Sequence, residues 1–152
     1  MKGKRKLDMK IKKQEGFTLI ELVVVIALLG ILAAFAIPRF ASLETEARAA
    51  TTQGLSGSVR SASALAHGLF LATGNDPVTM EGVNVDMVFG YPAATDIQNA
   101  LADTTGFTVA VAAGTATFTK TGASTPANCV VTYAEAAAAT TPPVINVVTT
   151  GC

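Results

Sequence analysis

Residues 17 to 37 read FTLIELVVVIALLGILAAFAI, a run of 21 in which Glu21 is the only charged side chain. At about 1.5 Å of rise per residue, such a run makes about 30 Å of helix, the thickness of a bilayer's hydrocarbon core. Three arrangements satisfy it: a membrane span, a cleaved signal sequence, or the core strand of a helical assembly. Everything else in the chain is read against that choice, because it decides the function.

The flanks have opposite charge. Residues 1 to 16 carry Lys2, Lys4, Arg5, Lys6, Lys10, Lys12 and Lys13 against Asp8 and Glu15, a net +5. Residues 17 to 152 carry Arg39, Arg48, Arg60 and Lys120 against nine acidic side chains, a net −5, with no basic patch of the kind nucleic acid requires. Cations just before an apolar span hold that end in the cytoplasm, so residues 38 to 152 are predicted to lie across the membrane, N-in and C-out. A length of 152 residues then allows one modest domain on an anchor. Cys129 and Cys152 both fall in the outer part, where thiols are oxidised, and are read as one disulfide. Two free buried thiols are the alternative. A metal site fits less well, since two cysteines and the single His67 leave a four-ligand shell incomplete.

A secretory signal peptide has a basic start, an apolar core of about 7 to 15 residues and a small-residue cleavage site. Here the run is longer, contains Glu21, and follows a basic leader that stops abruptly at Gly16. Ala34, Phe35 and Ala36 do form an A-x-A-like site, so removal after Ala36 is a competing reading. The string Gly16-Phe17-Thr18-Leu19-Ile20-Glu21, followed by the apolar run and Pro38, resembles the type IV pilins, with a class III-type leader. That resemblance covers about the first third of the chain. It implies that a prepilin peptidase cuts between Gly16 and Phe17 and methylates the new amino terminus of Phe17.

An ionisable group inside a span costs about 2.5–3.5 kcal/mol on insertion scales and is a functional candidate by default. Cleavage after Gly16 would create a partner for Glu21, the ammonium of Phe17, and pairing offsets part of each group's desolvation. The pair can form within one helix or with a neighbouring subunit. The pilin resemblance implies the neighbour, with Glu21 docking the incoming amino terminus during filament assembly. The alternative is a glutamate that only snorkels to the headgroups.

Past Pro38 the pattern becomes amphipathic, with Phe40, Leu43, Ala47, Ala50, Leu55, Val59, Ala62, Ala66 and Leu69 on one stripe. Glu44 and Arg48 stand at a helical i,i+4 spacing. One helix from about Phe17 to Leu71 is predicted, stopped by Thr73-Gly74-Asn75-Asp76-Pro77 and about 80 Å long, far more than one bilayer needs. Pro38 leaves the Ala34 carbonyl without its helical donor and Gly30 is a second weak point, so a kink is predicted at these positions. The resemblance implies that Gly30 to Pro38 can unwind in a filament; a static kink is the alternative. Small residues crowd positions 54 to 68, where another layer is expected to pack. His67 within that stretch reads as a surface or half-buried polar residue.

Positions 73 to 106 read as irregular, with a short strand at Val83 to Phe89, a turn at Gly90-Tyr91-Pro92 and a short helix from Thr95 to Asp103, Thr95 capping and Ile97 and Leu101 facing inward. Beyond, the period becomes two. Phe107 to Val111 and Thr115 to Lys120 make a hairpin about Ala113-Gly114, with further strands at Cys129 to Glu135 and Val144 to Thr149. The fold class is α+β, a long N-terminal helix with a small antiparallel sheet on its C-terminal half, which agrees with the type IV pilin fold. The segments expected are a removed leader at 1–16, a membrane and assembly segment at 17–37, an amphipathic helix at 38–72, a connecting loop at 73–106, and the sheet with its disulfide-bounded end at 107–152. Within the pilins, Phe89-Gly90-Tyr91-Pro92-Ala93-Ala94-Thr95 and Thr149-Thr150-Gly151-Cys152 look most like the mannose-sensitive haemagglutinin (MSHA) subfamily.

The chain has one histidine, no nucleophile elbow, no phosphate-binding glycine loop and no metal-ligand spacing. The reading is therefore not an enzyme, with no cofactor and no metal. The resemblance implies a structural subunit of an extracellular pilus, held in the inner membrane before assembly and adhering to surfaces. The partners it implies are further copies in a helical filament, the prepilin peptidase and assembly machinery, and a surface carbohydrate or a host or abiotic surface. The alternatives are a minor pilin, a secretion pseudopilin, or a membrane-anchored binding protein, the last of which has no use for Glu21 beside a cleavage site. Intact mass and N-terminal sequencing of the mature chain are expected to show a start at Phe17, N-methylated; a start at Ile37 would make it a secreted protein instead.

Overall fold

A computed structural model describes residues 16–152, so the leader predicted at 1–16 lies, apart from Gly16, outside the described residues. The chain divides into two compact units after Phe40. One α-helix, α1 (Leu19–Thr73), contributes its first part to one unit and its second part to the other. It runs two residues past the predicted end and stops at Gly74, whose left-handed backbone (φ +68°) and N–H bond to the Phe70 carbonyl at 2.7 Å close its last turn.

In the first unit the large apolar side chains meet no cover among the described residues, from 45% exposed at Val23 to 87% at Phe17. The helix is long and apolar enough to cross a membrane, with a mean hydropathy of 2.9 over its most apolar window.

The second unit has a conventional core. Thr52, Leu55, Ser56, Val59, Ala62, Ser63 and Ala66 form the buried stripe of α1. The stripe predicted from Phe40 onward is thus buried only from Thr52, and Phe40 and Leu43 stay 70% and 58% exposed. It also contains hydroxyls that a search for apolar positions passes over. Thr52 Oγ1 donates to the Arg48 carbonyl and Ser56 Oγ to the Gln53 carbonyl, each at 2.8 Å, so these groups are buried with their hydrogen bonds made.

A four-stranded antiparallel sheet has the order β5 (Phe107–Ala112), β6 (Thr115–Lys120), β7 (Val130–Ala134), β8 (Val144–Val148). These are the four strands read from the period of two. The β5–β6 turn is Ala113-Gly114, both residues at positive φ, the conformation a two-residue hairpin needs. Phe118, Val131 and Tyr133 from the sheet meet Leu55 and Val59 of α1 and Ile97 of the connector in one cluster. Fully burying a side chain of this size contributes about 1.5–3 kcal/mol, so this cluster is the main source of stability in the unit.

The connector holds more strand than predicted. β1 (Val78–Met80) pairs with β2 (Val83–Val85), and β3 (Met87–Val88) with β4 (Tyr91–Pro92). The turn predicted at Gly90-Tyr91-Pro92 is therefore displaced to Phe89-Gly90, where φ is positive at both positions, and Tyr91 and Pro92 are strand. These ladders of two or three residues show no readable alternation. The helix predicted at Thr95 to Asp103 shrinks to a single 3-10 turn at Ile97–Ala100 with Asp96, not Thr95, at its start and no side-chain cap. Ile97 is fully buried and Leu101 packs on the core, as expected for the inward face.

Tyr133 ties three elements together. Its hydroxyl donates to the Pro92 carbonyl at 2.6 Å, it shares a hydrogen bond with Ser63 of α1, and its ring is fully buried. Burial pushes the phenol up to about 12, with Glu135 and Tyr91 adding to the rise and the Ser63 bond opposing it. An unfolded tyrosine ionises near 10. Between these values the unfolded chain loses a proton that the folded chain keeps, so stability should fall as pH rises from about 10 to about 12. Alkaline melts of Tyr133→Phe should lack this loss, and at neutral pH the variant should be about 1 kcal/mol less stable for the missing hydrogen bond.

Candidate functional site at the start of the helix

Gly16, Phe17 and Thr18 lie outside any regular element, and the helix begins at Leu19. Thr18 is its N-cap. The Glu21 N–H donates to Thr18 Oγ1 at 3.3 Å, while Glu21 Oε2 accepts the Thr18 N–H at 2.9 Å and the Thr18 hydroxyl at 2.7 Å. This reciprocal arrangement is a capping box: it supplies partners for backbone N–H groups that the first turn of any helix leaves without one. All contacts from Thr18 fall on Oε2. Phe17, Ile20, Glu21, Val24 and Val25 border one shallow, almost wholly apolar groove. The carboxylate thus stands at the head of the helix among exposed apolar side chains.

The spacing Thr18-x-x-Glu21 was available in the sequence as a capping signature. Thr18 and Glu21 act as a unit.

The remaining candidates are not gathered at this site. Gly30 and Pro38 lie inside α1, whose helical assignment is unbroken across both, and a Cβ added at Gly30 would meet nothing within 4 Å. Cys129 and Cys152 belong to the other unit and are joined as a disulfide, which removes the free-thiol alternative. Both are buried. Thr52 Oγ1 lies 3.5 Å from one sulfur and 3.8 Å from the other, and Arg48, paired with Glu44, donates from Nη1 to the Cys152 backbone oxygen at 2.9 Å. The predicted Glu44–Arg48 pair therefore also anchors the disulfide to α1. His67 is half-buried, stacked on Tyr91 with ring centroids 4.0 Å apart, its Nδ1 2.7 Å from the Gly90 carbonyl oxygen. It is a residue of α1 that packs on the connector.

In the sequence Gly151 stands in the string Thr149-Thr150-Gly151-Cys152, which does not mark it as a packing position. Its N–H donates to the Asn128 carbonyl and its carbonyl accepts from Thr125 N–H and Ser124 Oγ, each at 2.9 Å. A Cβ there would lie 2.5 Å from the Thr125 carbonyl oxygen, so the position has no room for a side chain.

Residues 11–37 match the prokaryotic N-terminal methylation motif. The chain carries an N-terminal methylation motif that ends within the first part of α1. Among curated proteins it is 48% identical over 54 residues to the type IV narrow pilus major component PilA5 of Thermus thermophilus, covering 36% of this chain and 47% of that one. It is 41% identical over 86 residues to the type IV major fimbrial protein FimA of Dichelobacter nodosus, covering 55% of this chain and 53% of the relative. A second FimA of that organism is 44% identical over 78 residues, or 49% of this chain and 46% of the relative. The chain spans about half the length of the curated relatives it matches. No solved structure matches it. The methylation motif covers Gly16, Phe17, Glu21 and Gly30 and ends one residue before Pro38.

The packing around Gly151 generates a stability test of the disulfide-bounded end. Reduction should cost about 3 kcal/mol, the loop-entropy value for a bridge of this span. Gly151→Ala should cost about 1–3 kcal/mol through overpacking even with the bridge intact. Thermal melts of the mature chain in detergent check both, and a reduced protein that melts with the oxidised one would remove the bridge from the stabilising interactions.

Proposed function

We propose that this chain is the structural subunit of an extracellular type IV pilus, held in the inner membrane by the first part of α1 until it enters the filament. The single observation that carries this is a helix surface of about membrane length, without cover among the described residues, whose one carboxylate is hydrogen-bonded to Thr18, the residue after Phe17. Lipid covers that surface in the free subunit, and the same segments of neighbouring copies cover it in the filament. The matched pili components of the relatives agree with a structural role rather than catalysis.

In this reading the prepilin peptidase cuts between Gly16 and Phe17 on the cytoplasmic side and methylates the Phe17 amine. The bond lies in a non-helical stretch two residues before α1, where a peptidase can take it in extended form. Glu21 then docks the amine of an incoming copy, exchanging a lone carboxylate for an ion pair. Gly30 and Pro38 weaken the backbone ladder between the two parts of the helix and give the filament its compliance. The likeness of 89–95 and 149–152 to the MSHA pilins carries the finer proposal, attachment to carbohydrate or to a solid surface.

Electron microscopy of sheared surface fractions from cells with and without this chain tests the reading, with filaments expected only in the first. Glu21→Val should insert and lose its leader normally, because the apolar run becomes uninterrupted, and yet yield almost no filament. The measured quantity is the ratio of surface filament to processed, membrane-held subunit; a wild-type ratio would end the docking role of Glu21.

A further inference from the structure

We propose that the outer edge of β8 is a strand-pairing surface for a second copy of this chain, and that Arg60 of α1 holds it closed. β8 is the last strand of the four-stranded sheet. The hydrogen bonds of β7 decide which backbone groups of β8 face outward. The Lys120 N–H donates to the Cys129 carbonyl and the Glu135 N–H to the Gly114 carbonyl, both at 3.0 Å, so alternate positions from 129 to 135 turn to β6. Val130, Thr132 and Ala134 therefore turn to their partners Val148, Asn146 and Val144 in β8. Ile145 and Val147 are left with their N–H and C=O groups directed away from the sheet. Arg60 meets this edge, donating from Nη2 to the Ile145 carbonyl at 2.7 Å.

An added strand would bond to these same groups, with an N–H where the guanidinium now stands. The edge is otherwise suited to pairing. Val144–Val148 reads VINVV, without a charge, and Val144, Val147 and Val148 are exposed. The β8 of a second copy fits it, because an antiparallel pair centred on Asn146 sets Ile145 opposite Val147 in both directions, so each copy meets the other with the same groups. Arg60 opposes this twice: it fills the Ile145 acceptor, and an arriving strand must displace its charge or strip it of water. The opposite edge of the sheet also has a cation, Lys120 Nζ standing 4.7 Å from the ring centroid of Phe107, the first residue of β5. Arg60 and Lys120 are two of only four Lys or Arg side chains after Gly16, so half of these charges stand at the sheet's two edges. In the function proposed above, copies crowd in one membrane before assembly, and a closed sheet edge leaves the helix as their route of association. The closure itself does not depend on that function.

The test uses the full-length chain purified from membranes in detergent and reads hydrogen exchange at the Ile145 and Val147 amides over a series of protein concentrations. In the wild type both should exchange freely throughout the series. Arg60→Met keeps a long side chain and a good helix former while removing the cation. Both amides should then become about tenfold more protected as concentration rises, the worth of the charge-assisted hydrogen bond that an arriving strand must otherwise break. Arg60→Lys keeps a cation and should behave as the wild type. In Arg60→Met/Val147→Pro the second change removes one outward N–H without touching the bonds to β7, and the protection of Ile145 should disappear. Exchange in Arg60→Met that is unchanged, or faster at every concentration, would make Arg60 only a tether for β8 and overturn the proposal, as would protection that survives Val147→Pro. Arg60→Gln, polar but uncharged, reads the same quantity, so loss of the fold in the methionine variant, seen in a thermal melt, leaves the test standing.

Discussion

The structure depends on one helix satisfying two solvents. Between Leu19 and Phe40, α1 presents large apolar side chains in every direction, an arrangement that water penalises and hydrocarbon does not. From Thr52 onward it presents a narrow buried stripe in which Val59 and Ala66 are fully covered, while the rest of the circumference is mostly polar or small, with Leu65 and Leu71 exposed. A helix apolar all round and a helix apolar on one stripe call for different surroundings, lipid or like helices for one and a sheet for the other. The two compact units follow from that difference in sequence along a single element.

In the second unit the helix and sheet are joined by polar groups that are satisfied as well as by apolar contact. Tyr133 carries the largest fully buried side chain, and its hydroxyl connects the strand to Pro92 of the connector and to Ser63 of α1. The far end of the chain is secured in the same manner. Arg48 and Thr52 on successive turns of α1 meet the Cys152 backbone and the disulfide sulfurs, while the Gly151 backbone is bonded to residues 124–128. These contacts fix where the tail lies; the covalent bridge limits how far it can depart when they open.

Glu21 carries a structural role and, in the function proposed above, a docking role on the same side chain. As the N3 residue of a capping box it completes the first turn of α1. As the only charge in the apolar run it is the natural partner for an ammonium. The roles are compatible because a carboxylate has two oxygens, and Thr18 engages one.

Much of this was determined by local order in the sequence. The membrane-length run, the helix stop near Gly74, the hairpin about Ala113-Gly114 and the strands at 130–134 and 144–148 all rest on periodicity and turn chemistry that neighbouring residues express among themselves. Even the capping box was legible, as Thr18-x-x-Glu21. The connector was not. Its strands are two or three residues long, too short to show a period, and Tyr91 and Pro92 become strand only because β3 lies beside them. Likewise Thr95 to Asp103 has helix-compatible residues, but only Ile97–Ala100 coils, because the core draws in Ile97 and Leu101 while the backbone leaves the helical path at Leu101. Nothing local to Ser63, Tyr133 or Gly151 marks them as the points where the helix, the sheet and the tail close on one another. Their importance comes from contacts between residues tens of positions apart, which only the tertiary structure decides.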